Sequence, residues 1–485
     1  MKLYLRGHED LYAVEQLQMQ LFPSEPSEYV QTPFRDGNGA VSALSVGKIY
    51  LTATAKITWN GKTAVAARRL KKEQETVRLR RRILQQAYYL AAVKVLGEAP
   101  PWGALAGVRP TKLSTAILQK GGTPADCDRM LRDTYFVAPE RRRLCIDASL
   151  RTAAAAKLLD DRDLSLYIGI PFCPTRCAYC SFVSESVEKF GDLLEPYLEA
   201  LLREVRETGR LLADSGYHIR TLYMGGGTPT TLSTAQMTRL LTAIGESFDL
   251  SRCLEFTVEG GRPDTLDGEK LRAIAALGVD RMSINPQTMS DAVLKKIGRR
   301  HTTAQTVEAY QEARTAGYGS INMDLIAGLP CDTPASYADS LRQVLALGPE
   351  NITVHTLALK KGADLFFDRA QLPDGAAVAE MLAETNDLLR QAGYAPYYLY
   401  RQKYMSGSFE NVGWTKPGHD SLYNIYMMEE LHSILALGGG GMNKVNLAPG
   451  ELERFHNPKY PQEYISRIDT VLEKKQRIFE LLAHI

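Results

Sequence analysis

No run of about 18 apolar residues occurs anywhere in these 485 residues, so no segment is long enough to cross a bilayer as a helix. The opening MKLYLRGHEDLYAVEQ lacks the apolar core of a signal peptide, and a cytoplasmic place of work is expected. Charge of one sign is missing as well: 58 Lys and Arg against 56 Asp and Glu leave a net charge of +2. No whole-protein field therefore demands nucleic acid or an anionic membrane, and partners must be argued from local sites. Internal repeats and low-complexity linkers are absent. What is present, 45% apolar and 24% charged residues, is ordinary for a folded soluble protein, and the length exceeds what one core usually serves. Cysteine is scarce: seven, an odd count with three crowded together, suits a reduced compartment and a metal site better than a disulfide framework. Cys127, Cys145, Cys253 and Cys331 are scattered and read as small core residues.

From Leu164 onward short apolar strands alternate with helical patterns, the signature of parallel β/α units. Strands are expected at LSLYIGI, IRTLYM, LEFTVE, RMSIN, INMDLIAG and ITVHTLAL. Helices are expected from Glu195, near Leu271, and from Asp291 and Thr303. Six units predict a parallel sheet curled into a partial barrel, with a gap in the wall and a wide mouth. Upstream, VGKIYLTATAKITWNGKTAVAARRL alternates like a hairpin about Asn60-Gly61. It runs into a long helix whose start is strongly basic (Arg68, Arg69, Lys71, Lys72, Arg78, Arg80, Arg81, Arg82). That stretch reads as a solvated helix face, with a patch for RNA, phosphate or a polycarboxylate as the alternative. PPWGALAGVRPTKL is expected as an ordered loop entering a helix. The expected fold class is α/β: a partial (β/α)6 TIM-like barrel over 160–365, a separate α+β N-terminal domain over 1–150, and a C-terminal extension, 366–485, covering the barrel mouth.

The stretch YIGIPFCPTRCAYCSF begins at Tyr167 and carries Cys173, Cys177 and Cys180. Thiolate selects zinc, copper(I) or iron-sulfur clusters. A zinc cage needs a fourth ligand, and the following SFVSESVEKFGDLLEP offers neither Cys nor His, which disfavours a zinc knuckle. Three thiolates at C-x3-C-x2-C, on a loop after a strand, can ligate three irons of a 4Fe-4S cube and leave the fourth open to a substrate or cofactor. This arrangement resembles the radical S-adenosylmethionine (SAM) superfamily, whose members bind the SAM amino and carboxylate groups at that iron. The resemblance covers about residues 164–445. IPFCPTRCAYCSF, GGGTPT, RMSINPQT, GRRHT and DLIAGLP narrow it to the oxygen-independent coproporphyrinogen III oxidases, also called coproporphyrinogen dehydrogenases. The N-terminal module and YYLYRQKYMSGSFENVGW are similar to the HemZ-type branch.

That resemblance implies an oxidoreductase of anaerobic haem biosynthesis with a 4Fe-4S cluster on Cys173, Cys177 and Cys180. It implies SAM bound by Tyr179, Gly226, Gly227, Thr228, Glu259, Gln287, Arg299, Asp324 and Ala358, with Tyr167 close to the reaction centre. In the family, reductive cleavage of SAM gives methionine and a 5′-deoxyadenosyl radical that abstracts hydrogen from a propionate β-carbon. Loss of carbon dioxide and one electron then leaves a vinyl group, so coproporphyrinogen III becomes protoporphyrinogen IX. Cluster potentials span roughly −700 to +450 mV and the cleavage uses the low end, which implies a partner such as flavodoxin or ferredoxin.

The residues themselves suit this reading. Gly225, Gly226 and Gly227 let backbone approach a ligand, and Thr228-Pro229 suits a helix start. Glu259 and Asp324 lie in apolar strands, where a carboxylate needs a donor, and Arg299 offers a rigid fork to a carboxylate. Lys360, Lys361, Arg401 and Lys403 are candidate cations for a tetracarboxylate substrate.

Three positions depart from the family pattern. Gly169 stands where a histidine is frequent, Phe182 where a fourth cysteine is frequent, and Asn285-Pro286 where glycine-valine is usual. They leave open whether this chain takes a second SAM near the substrate, as some members do. Two further readings stay beside the favoured one: a haem-trafficking protein, whose His-Asn-x-x-Tyr-Trp-like signature is approached by FENVGW without its histidine, and a radical enzyme that opens the haem ring. RNA modification led by the basic helix is the weakest.

Overall fold

The computed structural model describes residues 1–23, 25–34, 37–358, 363, 372–402, 409–448 and 450–485. They fall into two compact units, Met1–Ile146 and Asp147–Ile485.

The first unit is built on a five-stranded sheet. Its elements are β1 (Lys2–Arg6), α1 (Leu11–Leu21), β2 (Glu28–Val30), β3 (Gly39–Val46), β4 (Tyr50–Trp59), β5 (Lys62–Lys71), α2 (Val77–Leu96) and α3 (Thr111–Gln119), with strand order β2-β1-β3-β4-β5. Asn60 and Gly61 both take positive φ, so β4 and β5 form the predicted two-residue hairpin. Leu17, Leu51, Ile57, Leu84 and Tyr88 belong to one apolar cluster, and α1 and α2 are tied where buried Tyr88 donates to Gln18 at 3.0 Å. The basic stretch does not all open a helix. Arg68, Arg69 and Lys71 lie on β5, and α2 starts only at Val77, where the Thr76 hydroxyl accepts from Leu79 N and caps the first turn. Arg80 and Arg81 are both paired with Asp10, at 3.1 and 2.8 Å. PPWGALAGVRPTKL leads into α3 as expected.

The second unit holds the barrel. All six predicted strands form: β6 (Asp163–Ile170), then after α4 (Leu194–Ala213) β7 (His218–Gly226), then after α5 (Thr234–Ser247) β8 (Glu255–Gly261). After α6 (Gly268–Ala276) come β9 (Arg281–Ile284), α7 (Asp291–Lys296), α8 (Thr303–Ala316), β10 (Ser320–Ala327), α9 (Pro334–Leu347) and β11 (Asn351–Thr356). The chain continues through α10 (Gly375–Gln391), β12 (Ala395–Arg401), β13 (Glu410–Thr415), α11 (Leu422–Glu429), β14 (Ser433–Gly438), β15 (Met442–Ala448), β16 (Glu451–His456), α12 (Pro461–Ser466) and α13 (Ile468–Leu482). These strands make one sheet of order β12-β13-β11-β10-β9-β8-β7-β6-β14-β15-β16. Thr228-Pro229 opens a single 3-10 turn, and α5 itself starts later under a capping box of Ser233 and Gln236.

Two features go beyond the expected six units. Strand β14 pairs parallel with β6, Ser433 opposite Leu164 through Gly438 opposite Gly169, and so makes a seventh parallel strand. At the other edge β13 pairs antiparallel with β11. Residues expected as a separate domain over the mouth thus supply both edges of the sheet. Helix α11 is seated by Glu255 at the start of β8, whose buried carboxylate accepts from Ser421 Oγ (2.8 Å), Leu422 N (2.5 Å) and Tyr423 N (3.4 Å). Burial pushes that carboxyl up, and the helix N-terminus offsets part of the cost.

Of the scattered cysteines, Cys127 and Cys145 are buried and Cys253 is half-buried, but Cys331 is exposed. It sits on the turn after β10 at φ +61°, where the backbone swings out of the sheet before α9, so it is no core residue. No helix among the described residues is long and apolar enough to cross a membrane.

Candidate active site at the barrel mouth

Alternation along parallel strands puts Tyr167, Tyr223, Glu259, Ser283, Asp324 and His355 on one face of the sheet. The Tyr223 hydroxyl donates to Glu259 Oε1. Tyr423 from α11 stacks on Tyr223 at 4.5 Å, and Tyr167 lies 6.4 Å from each ring. Burial raises all three phenols, so they stay neutral. Burial also pushes Glu259 up to about 7, against the Tyr223 hydrogen bond, and nearby Asp324 adds to the rise. Asp324 accepts from Asn322 Nδ2 at 2.7 Å and has His355 Nε2 at 3.6 Å, while the Tyr400 hydroxyl is 3.4 Å from His355 Nδ1.

Above these residues the cysteine loop is fastened at several points. Phe172 O accepts from Thr228 N at 2.7 Å, and Thr228 Oγ1 is 3.5 Å from Cys173 Sγ. Ala178 N donates to Ile297 O at 3.0 Å. Buried Arg262 donates to Thr175 Oγ1 at 2.7 Å while gripping Asp264 with two bonds of 2.8 and 3.0 Å. Arg299 donates to Asn285 O at 2.6 Å and to the Tyr179 hydroxyl at 3.2 Å. Tyr179 is half-buried against Val293, Leu294, Ile297 and Leu357. The backbone of Gln287, at φ +69°, is stitched to β10: its N–H donates to Asp324 O and its carbonyl accepts from Ile326 N, both at 2.9 Å.

The glycine turn answers to the same loop. A Cβ on Gly227 would stand 2.4 Å from Phe172 O and 3.0 Å from Cys173 Sγ, and one on Gly225 would meet Glu259 Oε2 at 2.8 Å. Gly226 takes φ +115°. Ala358 lies two residues beyond the end of β11. Lys360, Lys361 and Lys403 lie outside the described residues; Arg401 is buried at the end of β12, and burial lowers its guanidinium to about 10.

Residues 167–344 match the model of the radical SAM superfamily. The chain is 38% identical over 392 residues to the oxygen-independent coproporphyrinogen-III oxidase-like protein HemZ of Bacillus subtilis, covering 79% of this chain and 78% of that one. It belongs to that HemZ-like family of radical SAM proteins. The heme chaperone HemW of Lactococcus lactis is 33% identical over 328 residues, 65% of this chain and 79% of the relative. Among solved structures, coproporphyrinogen III oxidase (HemN) from Escherichia coli, a radical SAM enzyme, superposes with a TM-score of 0.54 at 25% identity, over 66% of this chain and 72% of that one.

A radical SAM protein uses a 4Fe-4S cluster and SAM, and the residues fit both. All three loop thiols are free of disulfides. In a 4Fe-4S cube each thiolate takes its own iron. Ser283 Oγ, Asn285 Oδ1 and Arg299 Nε are buried polar atoms without a partner among the described residues, on the wall that carries Glu259 and Gln287. Such groups ask for a polar ligand.

Several functional neighbours escaped the sequence reading. Tyr223 was findable, two residues before Gly225 on a strand whose neighbour carries Tyr167. His355 sits in the quoted ITVHTLAL and was legible by the same alternation. Tyr423 and Arg262 carried no local signal, since one arrives on a distant helix and the other acts through a loop nearly ninety residues upstream.

Proposed function

We propose that the chain is a coproporphyrinogen III dehydrogenase, converting two propionates of a reduced tetrapyrrole to vinyl groups with loss of carbon dioxide. The observation that carries this reading is the cysteine loop fastened over the glycine turn, directly above a wall bearing Glu259 and Asp324. Cys173, Cys177 and Cys180 would hold the cluster. Tyr179, Gly226, Gly227, Thr228, Glu259, Gln287, Arg299, Asp324 and Ala358 would hold SAM. When bound, these two groups supply the one-electron chemistry that breaks a propionate C–H bond.

The chain's own residues have a different task. Arg299 brings a fixed positive charge and one unpartnered donor to the space beside Tyr179, where a carboxylate is the fitting acceptor. Glu259 and Asp324 accept hydrogen bonds from hydroxyl or ammonium donors. Tyr167, Tyr223 and Tyr423 fill the space beneath with neutral aromatic surface, which keeps water from the reacting carbon. Electrons would come from a flavodoxin or ferredoxin in a reducing cytoplasm.

FENVGW lends the haem-carrier alternative no support. Glu410–Thr415 is a fully buried strand, Asn411 Oδ1 is occupied by Thr356 N at 2.8 Å, and Trp414 lies in the core, so the segment does work inside the sheet. Anaerobic reconstitution with dithionite, SAM and coproporphyrinogen III, followed by mass spectrometry of the porphyrins, tests the proposal. Products with one and two fewer carboxyl groups are expected. SAM cleavage with no loss of carbon dioxide would sink it.

A further inference from the structure

The glycines at 438–441 end β14 and turn against the root of the cysteine loop. A Cβ on Gly438 would lie 2.3 Å from Gly169 O, one on Gly169 2.8 Å from Gly439 O, and one on Gly439 3.1 Å from Pro171 Cγ. The two segments therefore meet backbone to backbone. Two buried residues of α4, Tyr197 and Glu204, fasten them. The Tyr197 hydroxyl donates to Gly169 O at 2.6 Å and accepts from Gly439 N at 2.7 Å. Its ring meets Phe172, the residue before Cys173, edge-on at 5.3 Å.

Glu204 lies two turns further along α4. It accepts from Gly438 N at 2.7 Å, from the Tyr464 hydroxyl at 2.5 Å and from Asn457 Nδ2 at 3.1 Å, and it pairs with Lys475 Nζ at 3.3 Å. Lys475, equally buried, also donates to Asn443 Oδ1 at 2.7 Å and to the Ala436 carbonyl. Burying a carboxylate and an ammonium is expensive, and an apolar pair would serve packing as well. What an apolar pair could not do is aim the amide N–H groups of Gly438 and Gly439.

We propose that Tyr197 and Glu204 are positioning residues for the cysteine loop. They brace Gly438 and Gly439 with residues 457–475 and, through Gly169 O, fix where Cys173 stands against Thr228 and the glycine turn. Groups behind a metal ligand orient it in this way, and losing one typically weakens metal holding ten- to a hundredfold. This role rests on Cys173, Cys177 and Cys180 holding the cluster.

The test uses the full chain, reconstituted anaerobically, with Tyr197→Phe, Glu204→Gln and Glu204→Leu. Two quantities are read: the rate of iron release to a chelator, and the electron paramagnetic resonance spectrum of the reduced cluster with and without SAM. Tyr197→Phe, which removes one oxygen, is expected to release iron about tenfold faster and to show an altered spectrum with unchanged circular dichroism. Glu204→Gln keeps an acceptor for Gly438 N but leaves buried Lys475 without its counter-charge, so it is expected to lose stability while holding a cluster spectrum nearer to wild type than Glu204→Leu, which follows Tyr197→Phe. Should Glu204→Leu fail to fold, Tyr197→Phe alone decides. Wild-type spectrum and release rate in Tyr197→Phe would overturn the role, and a wild-type chain that takes up no iron would overturn the cluster assignment beneath it.

Discussion

The phenol of Tyr223 donates to the carboxyl of Glu259 across neighbouring parallel strands, yet burial outweighs that bond and the acid facing the tyrosine stack enters the neutral range about half protonated. Its ordinary value is 4.5 and its folded value about 7. The native state therefore keeps a proton that the unfolded chain has released. Stability from this group is complete below about pH 4.5 and is lost as pH rises through about 7.

Glu259→Gln should remove that slope. Urea unfolding of the cofactor-free chain at pH 5 and pH 8 should show the wild type losing on the order of 3 kcal/mol more than the variant between the two. Parallel losses would refute the protonated Glu259.

Replacing any one of Cys173, Cys177 or Cys180 by Ala should abolish cluster assembly, because a cube with two thiolates has lost a corner. Iron and sulfide analysis after anaerobic reconstitution reads this directly. A full complement of iron in any of the three would remove that residue from the ligand set.

Arg262→Met should cost about 3 kcal/mol, because it strands partly buried Asp264 without its partner. It also frees Thr175, so iron uptake should fall along with the denaturation midpoint. Lost stability with normal uptake would show that the grip on Thr175 is incidental.

Gly169→Ala should destabilise the chain by about 1–3 kcal/mol, because the new Cβ presses on the Gly439 carbonyl. A histidine there should do more damage still, because its larger side chain meets the same carbonyl. A thermal melt indistinguishable from wild type would mean that the Gly438–Gly441 turn yields freely.

The six central strands were legible because each is a short apolar run closed by a turn, and the cysteine triad because its spacing is chemical. The seventh strand was not. Ser433–Gly438 is as apolar as the others, but it returns to β6 from far along the chain, and periodicity carries no information about partners. The basic run from Arg68 to Arg82 misled for a local reason: side-chain charge does not distinguish strand from helix, and the boundary was set by the Thr76 cap. Arg299 drew notice in the sequence for its fork of donors, but its grip on Asn285 O and the Tyr179 hydroxyl depends on tertiary geometry alone.

The pairing of β14 with β6 also imposes an order of events. During synthesis Cys173, Cys177 and Cys180 leave the ribosome with β6 still bare along one edge, and the strand that covers it follows only after the whole of the remaining barrel has been made. A nascent chain thus carries its thiols on an unfinished wall. Iron delivered at that stage would meet a loop without its brace, so a settled metal site requires that β14 and the residues of 457–475 that hold Glu204 have docked first.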